Sequence, residues 1–156
     1  MGISERRERE KEEVRRKILD AARELFTTEG YERVTMRRIA EAIEYSPTTI
    51  YHHFEDKSDL LMAVAADMAV EVAEAVAGAA AKISPRARTP LEALLAGSRA
   101  YFAAMAEGGR ARVLLVDAPA VLSPAQLALL DEAAGAAELR LGLQACLRPA
   151  RQVPLD

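Results

Sequence analysis

Apolar residues recur at steps of three and four along most of the chain, the spacing that places them on one face of an α-helix. The first such segment covers residues 4–29, where an apolar stripe runs from Val14 through Leu25 to Phe26. Gly30 follows directly and is predicted to end the helix in the left-handed conformation, which glycine adopts without steric cost. The pattern therefore predicts one long N-terminal helix.

Two short helices follow, and each is preceded by a side chain that can cap its first turn. Thr35 is predicted to cap a helix that begins at Met36. Ser46 is predicted to cap another that begins at Pro47, where the missing N–H costs no hydrogen bond. The three residues "EYS" separate the two helices. This layout is typical of a helix-turn-helix, here over residues 35–54.

Longer helices are predicted for the rest of the chain. Asp56 can cap a fourth helix that extends to Ile83 and is broken at Ser84-Pro85. Gly135 and Gly142 are expected to weaken the last helix by about 1 kcal/mol each relative to alanine. The later elements are a helix from Thr89 to Glu107 ended by Gly108 and Gly109, a short helix that stops near Pro119, a last helix from Ser123 to Leu147, and a nonhelical tail over residues 149–156. The fold class is therefore all-α, with about seven helices.

The third helix has one apolar side and one polar side. A rotation of 100° per residue places Ile50 and Phe54 together, on the side predicted to be buried. Thr48 and His52 lie opposite, and they carry hydrogen-bonding groups without a permanent charge. Small hydroxyl side chains allow a helix to approach base edges in the major groove of DNA closely. The pattern thus favours a helix that reads DNA, although a solvated surface helix would show the same residues.

Metal binding and catalysis are disfavoured for this helix. His52 and His53 diverge by about 100° on a helix, and the chain has no third histidine. A catalytic His52 would need a partner in a cleft, and the pattern nominates none. We therefore predict no catalytic residues, no metal site and no enzymatic activity.

Composition and charge limit the class of protein. The chain has 156 residues, of which 51% are apolar, enough for a core in one domain or in a small module fused to a larger one. Its net charge is −3, so a bulk positive field cannot attract DNA, and any contact must come from local placement of basic residues. The single cysteine, Cys146, excludes an intramolecular disulfide and is consistent with a cytoplasmic location. The charged N-terminus predicts no signal peptide, and acidic residues interrupt the apolar region 60–81, so no membrane contact is expected.

The segment "LFTTEGYERVTMRRIAEAIEYSPTTIYHHFEDKSDLL" resembles the N-terminal domain of the tetracycline-repressor (TetR) family of bacterial transcription regulators. The resemblance implies a DNA-binding domain over residues 8–61, a long fourth helix, and a helical regulatory and dimerisation domain over residues 62–148. The segment departs from the family pattern in two places. Glu44-Tyr45 replaces the usual glycine and small residue of the turn, so Glu44 is expected to adopt a left-handed or altered conformation. Tyr45 either reaches toward DNA or packs on the domain, and packing is the favoured alternative. Thr48 replaces a common glycine.

The resemblance also implies roles for individual residues. Residues at the family's phosphate-contacting positions are Thr35, Tyr51 and Lys57. Arg37 matches a position that reaches a base edge, and Ser46 with Pro47 begins the recognition helix. The positions that read bases or touch the backbone beside them are Thr48, Thr49, His52 and His53. The basic residues of the segment 6–11 are either an arm against the duplex or a solvated helix face.

In the family, the C-terminal domain binds a small molecule and dimerises. One hypothesis is a ligand pocket here, although methionine and aromatic side chains at helical spacing are more often ordinary core. Its expected lining residues are Met62, Met68, Tyr101, Phe102, Met105 and Leu114. The C-terminal part is shorter than is usual in the family, so the helix from Ser123 to Leu147 would have to supply the dimer surface.

These features together predict a ligand-responsive repressor that binds a palindromic operator in double-stranded DNA as a homodimer. Its only small-molecule partner would be an inducer, with no other cofactor. The alternative is a truncated module that does not bind an operator and instead pairs with another protein. The sequence predicts neither the inducer nor the operator.

Overall fold

The computed structural model describes residues 2–83, 85 and 89–147, and within these residues it contains helices and no strand. This confirms the all-α prediction. The predicted tail over residues 149–156 and Ser84 of the predicted helix break lie outside the described residues. The helices are α1 (Ile3–Leu25), α2 (Met36–Ala42), α3 (Pro47–His53), α4 (Lys57–Ile83), α5 (Pro90–Ala106), α6 (Arg110–Arg112), α7 (Ala118–Val121), α8 (Pro124–Ala133) and α9 (Ala136–Leu147).

The predicted first helix has a different end from the one expected. After α1 the chain widens into a π-helical turn, Phe26–Gly30, and then tightens into a 3₁₀ turn, Tyr31–Arg33. Gly30 has a φ of 89°, the positive value expected of glycine, but its ψ of 139° lies outside the left-handed helical region. The predicted cap conformation was therefore wrong in detail. The extended ψ directs the chain away from the helix axis and into the 3₁₀ turn.

The segment before α8 also continues further than predicted. A π-helical turn, Val113–Asp117, joins α6 to α7, so helical structure passes Pro119 and ends at Val121. Pro119 lies in the first turn of α7, where a missing N–H costs little. The helix therefore ends two residues after Pro119, near the predicted stop.

The predicted last helix is two helices. Gly135 has a φ of 99° and separates α8 from α9, whereas the sequence pattern suggested only a weakened continuous helix. Ser123 caps α8 as predicted: its hydroxyl accepts from the Gln126 amide, and the Gln126 side chain accepts from the Ser123 amide. A residue with positive φ cannot continue a right-handed helix, so the chain changes direction there.

One hydrophobic core runs through both halves of the chain. In the N-terminal part it is built from fully buried side chains of α1 to α4, among them Ile18, Ile39, Ile50 and Leu60. The same cluster continues into the C-terminal part, where its members are Val113, Ala118, Leu122 and Leu130. Burying each such aliphatic side chain contributes about 1.5–3 kcal/mol. The core therefore crosses the predicted domain boundary between residues 61 and 62, and side chains of the two halves pack in one cluster.

Candidate nucleic-acid interface

The turn between α2 and α3 is held by backbone hydrogen bonds. Glu44 has a φ of 59°, and the amide of Tyr45 donates to the carbonyl of Ala40 at 3.0 Å, while the amide of Glu44 donates to the carbonyl of Glu41 at 3.2 Å. This is the hydrogen-bond pattern that closes a helix through a left-handed residue, a position usually occupied by glycine. The altered conformation predicted for Glu44 is confirmed. The half-buried ring of Tyr45 lies 6.0 Å from Nζ of Lys17 on α1, so it packs on the domain as predicted.

Capping side chains fix the first turns of α2 and α3. The Thr35 hydroxyl accepts from the Arg38 amide at 3.1 Å, and the Ser46 hydroxyl accepts from the Thr49 amide at 3.3 Å. The hydroxyls of Ser46 and Thr49 are also 3.1 Å apart. Thr35, Ser46 and Thr49 therefore have structural contacts, which orient their side chains before any ligand arrives.

The faces of α3 are those that the helical pattern predicts. Ile50 is fully buried and Phe54, directly after the helix, is 3% exposed. Thr48 and His52 are exposed on the opposite side, and the ring of Tyr51 is 54% exposed. A short helix is thus anchored by two apolar side chains and presents a hydroxyl, a phenol and an imidazole outward. Pro47, at its first position, is exposed as well, and Thr49 is half-buried at the edge.

His53 differs from His52, because it is half-buried at the border of the apolar face. Burial lowers the pKa of its imidazole, and the nearby positive charges of Lys11 and Arg15 lower this pKa further. The ring is therefore neutral at neutral pH and can both donate and accept a hydrogen bond.

Arg15 is a residue that the sequence pattern did not single out. Its guanidinium lies 5.2 Å from the centre of the Phe54 ring, so α1 places a cation beside the end of α3. The available signal was the position of Arg15 one residue after Val14 at the start of the apolar stripe. That position puts Arg15 at the edge of the stripe, but only the fold shows that the end of α3 lies there.

The two basic residues predicted to meet DNA have different environments. Arg37 is exposed on α2, and its Nε donates to Glu41 at 3.3 Å, a pairing that solvent weakens. Lys57 is half-buried: its Nζ donates to the carbonyl of Tyr31 at 2.9 Å and lies 4.2 Å from the centre of the Tyr31 ring. Lys57 thus also has a structural role, connecting the start of α4 to the turn after α1.

An ion bridge connects α1, α4 and α6 behind this interface. Glu71 on α4 accepts hydrogen bonds from both terminal nitrogens of Arg23 on α1, one of them at 2.8 Å. The same carboxylate accepts from Nε and Nη2 of Arg110, at 3.0 and 2.8 Å, and Arg110 also donates to the carbonyl of Ala104. The hydrogen bond from Arg23 and then that from Arg110 hold the pKa of Glu71 down at about 2, against the opposing effect of burial.

The turn before α6 fits tightly against the end of α1. Gly109 has a φ of 72°, and a Cβ atom at this position would lie 2.4 Å from Cγ2 of Thr27. Only glycine therefore allows the turn to approach α1 this closely. The contact places the C-terminal half directly against the helix that supports α3.

The C-terminal half contains a groove of about 690 Å³ between α4, α5, α8 and α9. Tyr101 and Phe102, two of the six residues predicted to contact a ligand, line it. The other four do not: Met68 and Met105 are buried, while Met62 and Leu114 pack partly buried against the core. The buried face of α4 up to Met68 contributes to the core. Ligand contact by these four residues stays a prediction that this groove does not include.

Two other kinds of site are absent from the part of the chain that the structure describes. No three His, Cys, Asp or Glu side chains there come together in a group that could hold a metal ion. None of the described helices combines the length and the apolar character needed to cross a membrane.

Comparisons with known proteins agree with this arrangement. The family model for "Bacterial regulatory proteins, tetR family" matches residues 18–64, which include α2 and α3. The HTH-type transcriptional repressor AcnR of Corynebacterium diphtheriae is 44% identical over 63 residues, 40% of this chain and 33% of the repressor. The HTH-type transcriptional regulator TcmR of Streptomyces glaucescens is 29% identical over 102 residues, 65% of this chain and 43% of that protein.

The similarity to a solved structure extends further along the chain. A bacterial regulatory protein of the tetR family from Rhodococcus RHA1 has a TM-score of 0.63 and 28% identity, and the alignment covers 83% of this chain and 63% of that one. The chain spans about a third of the length of AcnR and less than half of TcmR. These relatives are transcriptional regulators and not enzymes. These matches identify the N-terminal part of the chain, over residues 18–64, as a helix-turn-helix domain of the tetR family of bacterial regulatory proteins.

Proposed function

We propose that this protein is a ligand-responsive transcriptional repressor that binds a palindromic operator as a homodimer in the cytoplasm. The observation that carries the proposal is the outer face of α3, where Thr48, Tyr51 and His52 are exposed on a helix anchored by Ile50 and Phe54. A helix of this kind, capped at its first turn and preceded by a tight turn, enters the major groove with its N-terminal residues toward the base edges. The repressor activity named for AcnR supports the same function.

Each exposed group has a chemical role in this proposal. The Thr48 side chain can pack its methyl group on a thymine methyl or hydrogen-bond a base edge, and His52 can donate to a purine N7. The phenol of Tyr51 can hydrogen-bond a phosphate, which fixes the register of α3, and the guanidinium of Arg37 can reach a base edge. Because the chain has a net charge of −3, these local contacts must outweigh an overall repulsion from DNA.

The ion bridge offers a route from the C-terminal half to α3. A ligand that binds better to one tilt of α4 would shift the population toward that tilt. Glu71 would carry the movement to Arg23 on α1, and α1 supports α3 through the core. In a dimer, a small rotation of α1 changes the separation of the two recognition helices, which must match half-sites about 34–36 Å apart.

Fluorescence anisotropy with labelled DNA tests the proposal. The full chain is titrated into the DNA upstream of its own gene and into a scrambled duplex of equal composition, at 150 mM salt. We expect binding to the upstream DNA at least 100-fold tighter than to the scrambled duplex. The double variant Thr48→Ala/Tyr51→Ala should lose this preference and retain wild-type circular dichroism. Equal affinity of wild type for both duplexes would contradict operator recognition at this DNA.

A second function is favoured by one observation, the apolar surface of α9. No described residue of this helix is buried, and Leu139, Leu141, Leu143 and Leu147 are exposed. Such a surface would fit a module that pairs with a different protein and does not bind an operator by itself. A chain that stays monomeric at micromolar concentration and lacks operator affinity would favour this function over the first.

A further inference from the structure

The groove of the C-terminal half has the size of a small-molecule site. Its volume of about 690 Å³ lies within the usual range of roughly 300–1,000 Å³ for ligand pockets. Glycines let its walls approach: a Cβ on Gly97 would lie 3.4 Å from Val76, and a Cβ on Gly142 only 3.1 Å from Leu94. Both glycines lie inside helices, where alanine would be the more stable residue, so close helix packing is a reason for their presence.

All charged side chains that line the groove are acidic. Asp131 on α8 and Glu138 on α9 are its two ionisable carboxylates, and no lysine, arginine or histidine is among its lining residues in the described part of the chain. Neither carboxylate takes part in an ion pair among the described residues, whereas the neighbouring Glu132 pairs with Arg140 at 2.6 Å. The two negative charges beside the groove are therefore available to a ligand.

An aromatic pair adds a second feature that attracts positive charge. Tyr101 and Phe102 line the groove with their ring centres 5.5 Å apart and their planes at 81°. Phe102 is 71% exposed, which is unusual for so large an apolar side chain. The faces of aromatic rings are electron-rich and attract cations, most strongly those that water solvates weakly.

From these features, we infer that the groove binds an organic cation with large apolar groups. The apolar walls would hold the hydrocarbon part, and the carboxylates and ring faces would hold the positive charge. The inference rests on the proposed function only for the consequence of binding: the cation would then be the effector that weakens operator binding. The binding itself needs no DNA and can be tested alone.

Two ions of nearly the same size and shape separate charge from hydrophobicity. Tetraphenylphosphonium is an apolar cation, and tetraphenylborate is its anionic counterpart. We expect isothermal titration calorimetry of the full chain, without DNA, to show stoichiometric binding of tetraphenylphosphonium and at least tenfold weaker binding of tetraphenylborate. Equal or tighter binding of the borate would overturn the inference, and so would the absence of phosphonium binding.

Variants locate the binding site. Glu138→Gln and Phe102→Leu should each weaken phosphonium binding by about two- to fivefold, typical of a partly exposed charge pair and an exposed cation–π contact. The control Glu132→Gln removes the same charge from a residue that does not line the groove and should leave the affinity within about twofold. If all three variants behave like wild type, the cation binds elsewhere and the inference fails.

Two further outcomes are distinct from a failure of the proposed function. Phosphonium affinity that falls as the chain is concentrated and self-associates would show that a second copy covers the groove, which overturns the inference. Phosphonium that binds as expected but leaves operator affinity unchanged would overturn its role as effector and leave the binding site intact. Operator binding by the free chain is measured separately, so each result has one interpretation.

Discussion

Glu44 occupies a backbone conformation that suits glycine better. Its φ of 59° is in the left-handed region, which costs a non-glycine residue about 1 kcal/mol or more. The side chain is exposed and the cap hydrogen bonds are made by the backbone. We therefore expect Glu44→Gly to raise the free energy of unfolding by about 0.5–1 kcal/mol, part of the gain being offset by the greater entropy of glycine in the unfolded chain.

Urea denaturation measures this effect, and a nearby glutamate provides the control. Glu41 lies within α2, so Glu41→Gly should destabilise the protein by about 1 kcal/mol. Opposite signs for the two variants would identify the left-handed backbone as the cause. A loss of stability in Glu44→Gly would mean that the Glu44 side chain itself stabilises the turn.

Thr48 tests the DNA interface at a single side chain. It is exposed, it stands next to the capped first turn, and alanine is tolerated in helices at least as well as threonine. We expect Thr48→Ala to leave thermal stability unchanged. It should weaken binding to the wild-type operator by about 1–3 kcal/mol and remove the preference for the correct base at one base pair. Anisotropy with single-base operator variants measures both effects. The salt dependence should stay as in wild type, because no phosphate contact is lost.

An exposed threonine of the π-helical turn that follows α1 is the matched control for that substitution. The Thr28 hydroxyl donates to the Glu24 carbonyl, so Thr28→Ala removes a hydroxyl away from α3. Its operator affinity should equal that of wild type. If Thr48→Ala weakened binding to the operator and to all of its single-base variants by the same factor, Thr48 would not discriminate between bases.

At the residue scale, local chemistry was predictable from sequence and long-range contacts were not. Helical geometry alone assigns Ile50 to the core and Thr48 to the surface, and capping residues such as Ser46 are recognised from their neighbours. The contact of Lys57 with the Tyr31 carbonyl joins residues 26 positions apart. The residues around Lys57 in the sequence do not indicate this contact, because a lysine side chain can reach water, a phosphate or a backbone carbonyl equally well.

At the scale of elements, Glu71 connects three helices and makes their packing depend on pH. Its folded-state pKa, about 2, is below that of an ordinary glutamate, so the bridge stabilises the fold fully above about pH 4.5. This contribution is lost as the pH falls from 4.5 toward 2. Since glutamine resembles the protonated carboxyl, Glu71→Gln should cost about 1–2 kcal/mol at pH 7, allowing for partial solvent screening, and little near pH 2.

Urea denaturation of both proteins at pH 7, 5, 3.5 and 2.5 should therefore show a gap that closes with acid. Asp67→Asn is the control, because Asp67 pairs with Arg16 at 2.8 Å on an exposed surface, where such a pair is worth at most about 1 kcal/mol. A Glu71→Gln variant as stable as wild type at pH 7 would show that the bridge does not hold α1, α4 and α6 together. It would then be a poor route for allosteric coupling.

The order and approximate bounds of the elements followed from apolar spacing and capping residues, but their irregular joints did not. The π-helical turn at Val113–Asp117 and the break at Gly135 depend on how the helices pack on the core. The role of Gly109 likewise depends on helix packing and could not be predicted from the sequence. Its sequence context indicates the end of a helix, whereas the 2.4 Å approach to Thr27 that requires glycine is known only from the fold.

At the scale of the whole molecule, the exposed leucines of α9 form an apolar surface that is typical of a protein–protein interface. Leu141 is 65% exposed and does not line the groove, so it is suited to report on self-association alone. We expect light scattering to give about twice the monomer mass of 16.9 kDa for wild type at micromolar concentration. Leu141→Glu should shift the chain to monomer, because a buried carboxylate without a partner is strongly disfavoured in an interface.

The same variant separates assembly from folding and from ligand binding. As an exposed position, Leu141 should change the stability of the monomer by no more than about 0.5 kcal/mol. Leu91→Glu is the control, since Leu91 is 53% exposed at the start of α5 and should leave the dimer intact. Because a palindrome needs two recognition helices, monomeric Leu141→Glu should also lose most of its operator affinity. A monomeric variant that keeps wild-type operator affinity would show that one copy of α3 suffices, and a wild type that is itself monomeric would assign the leucines of α9 to a different partner.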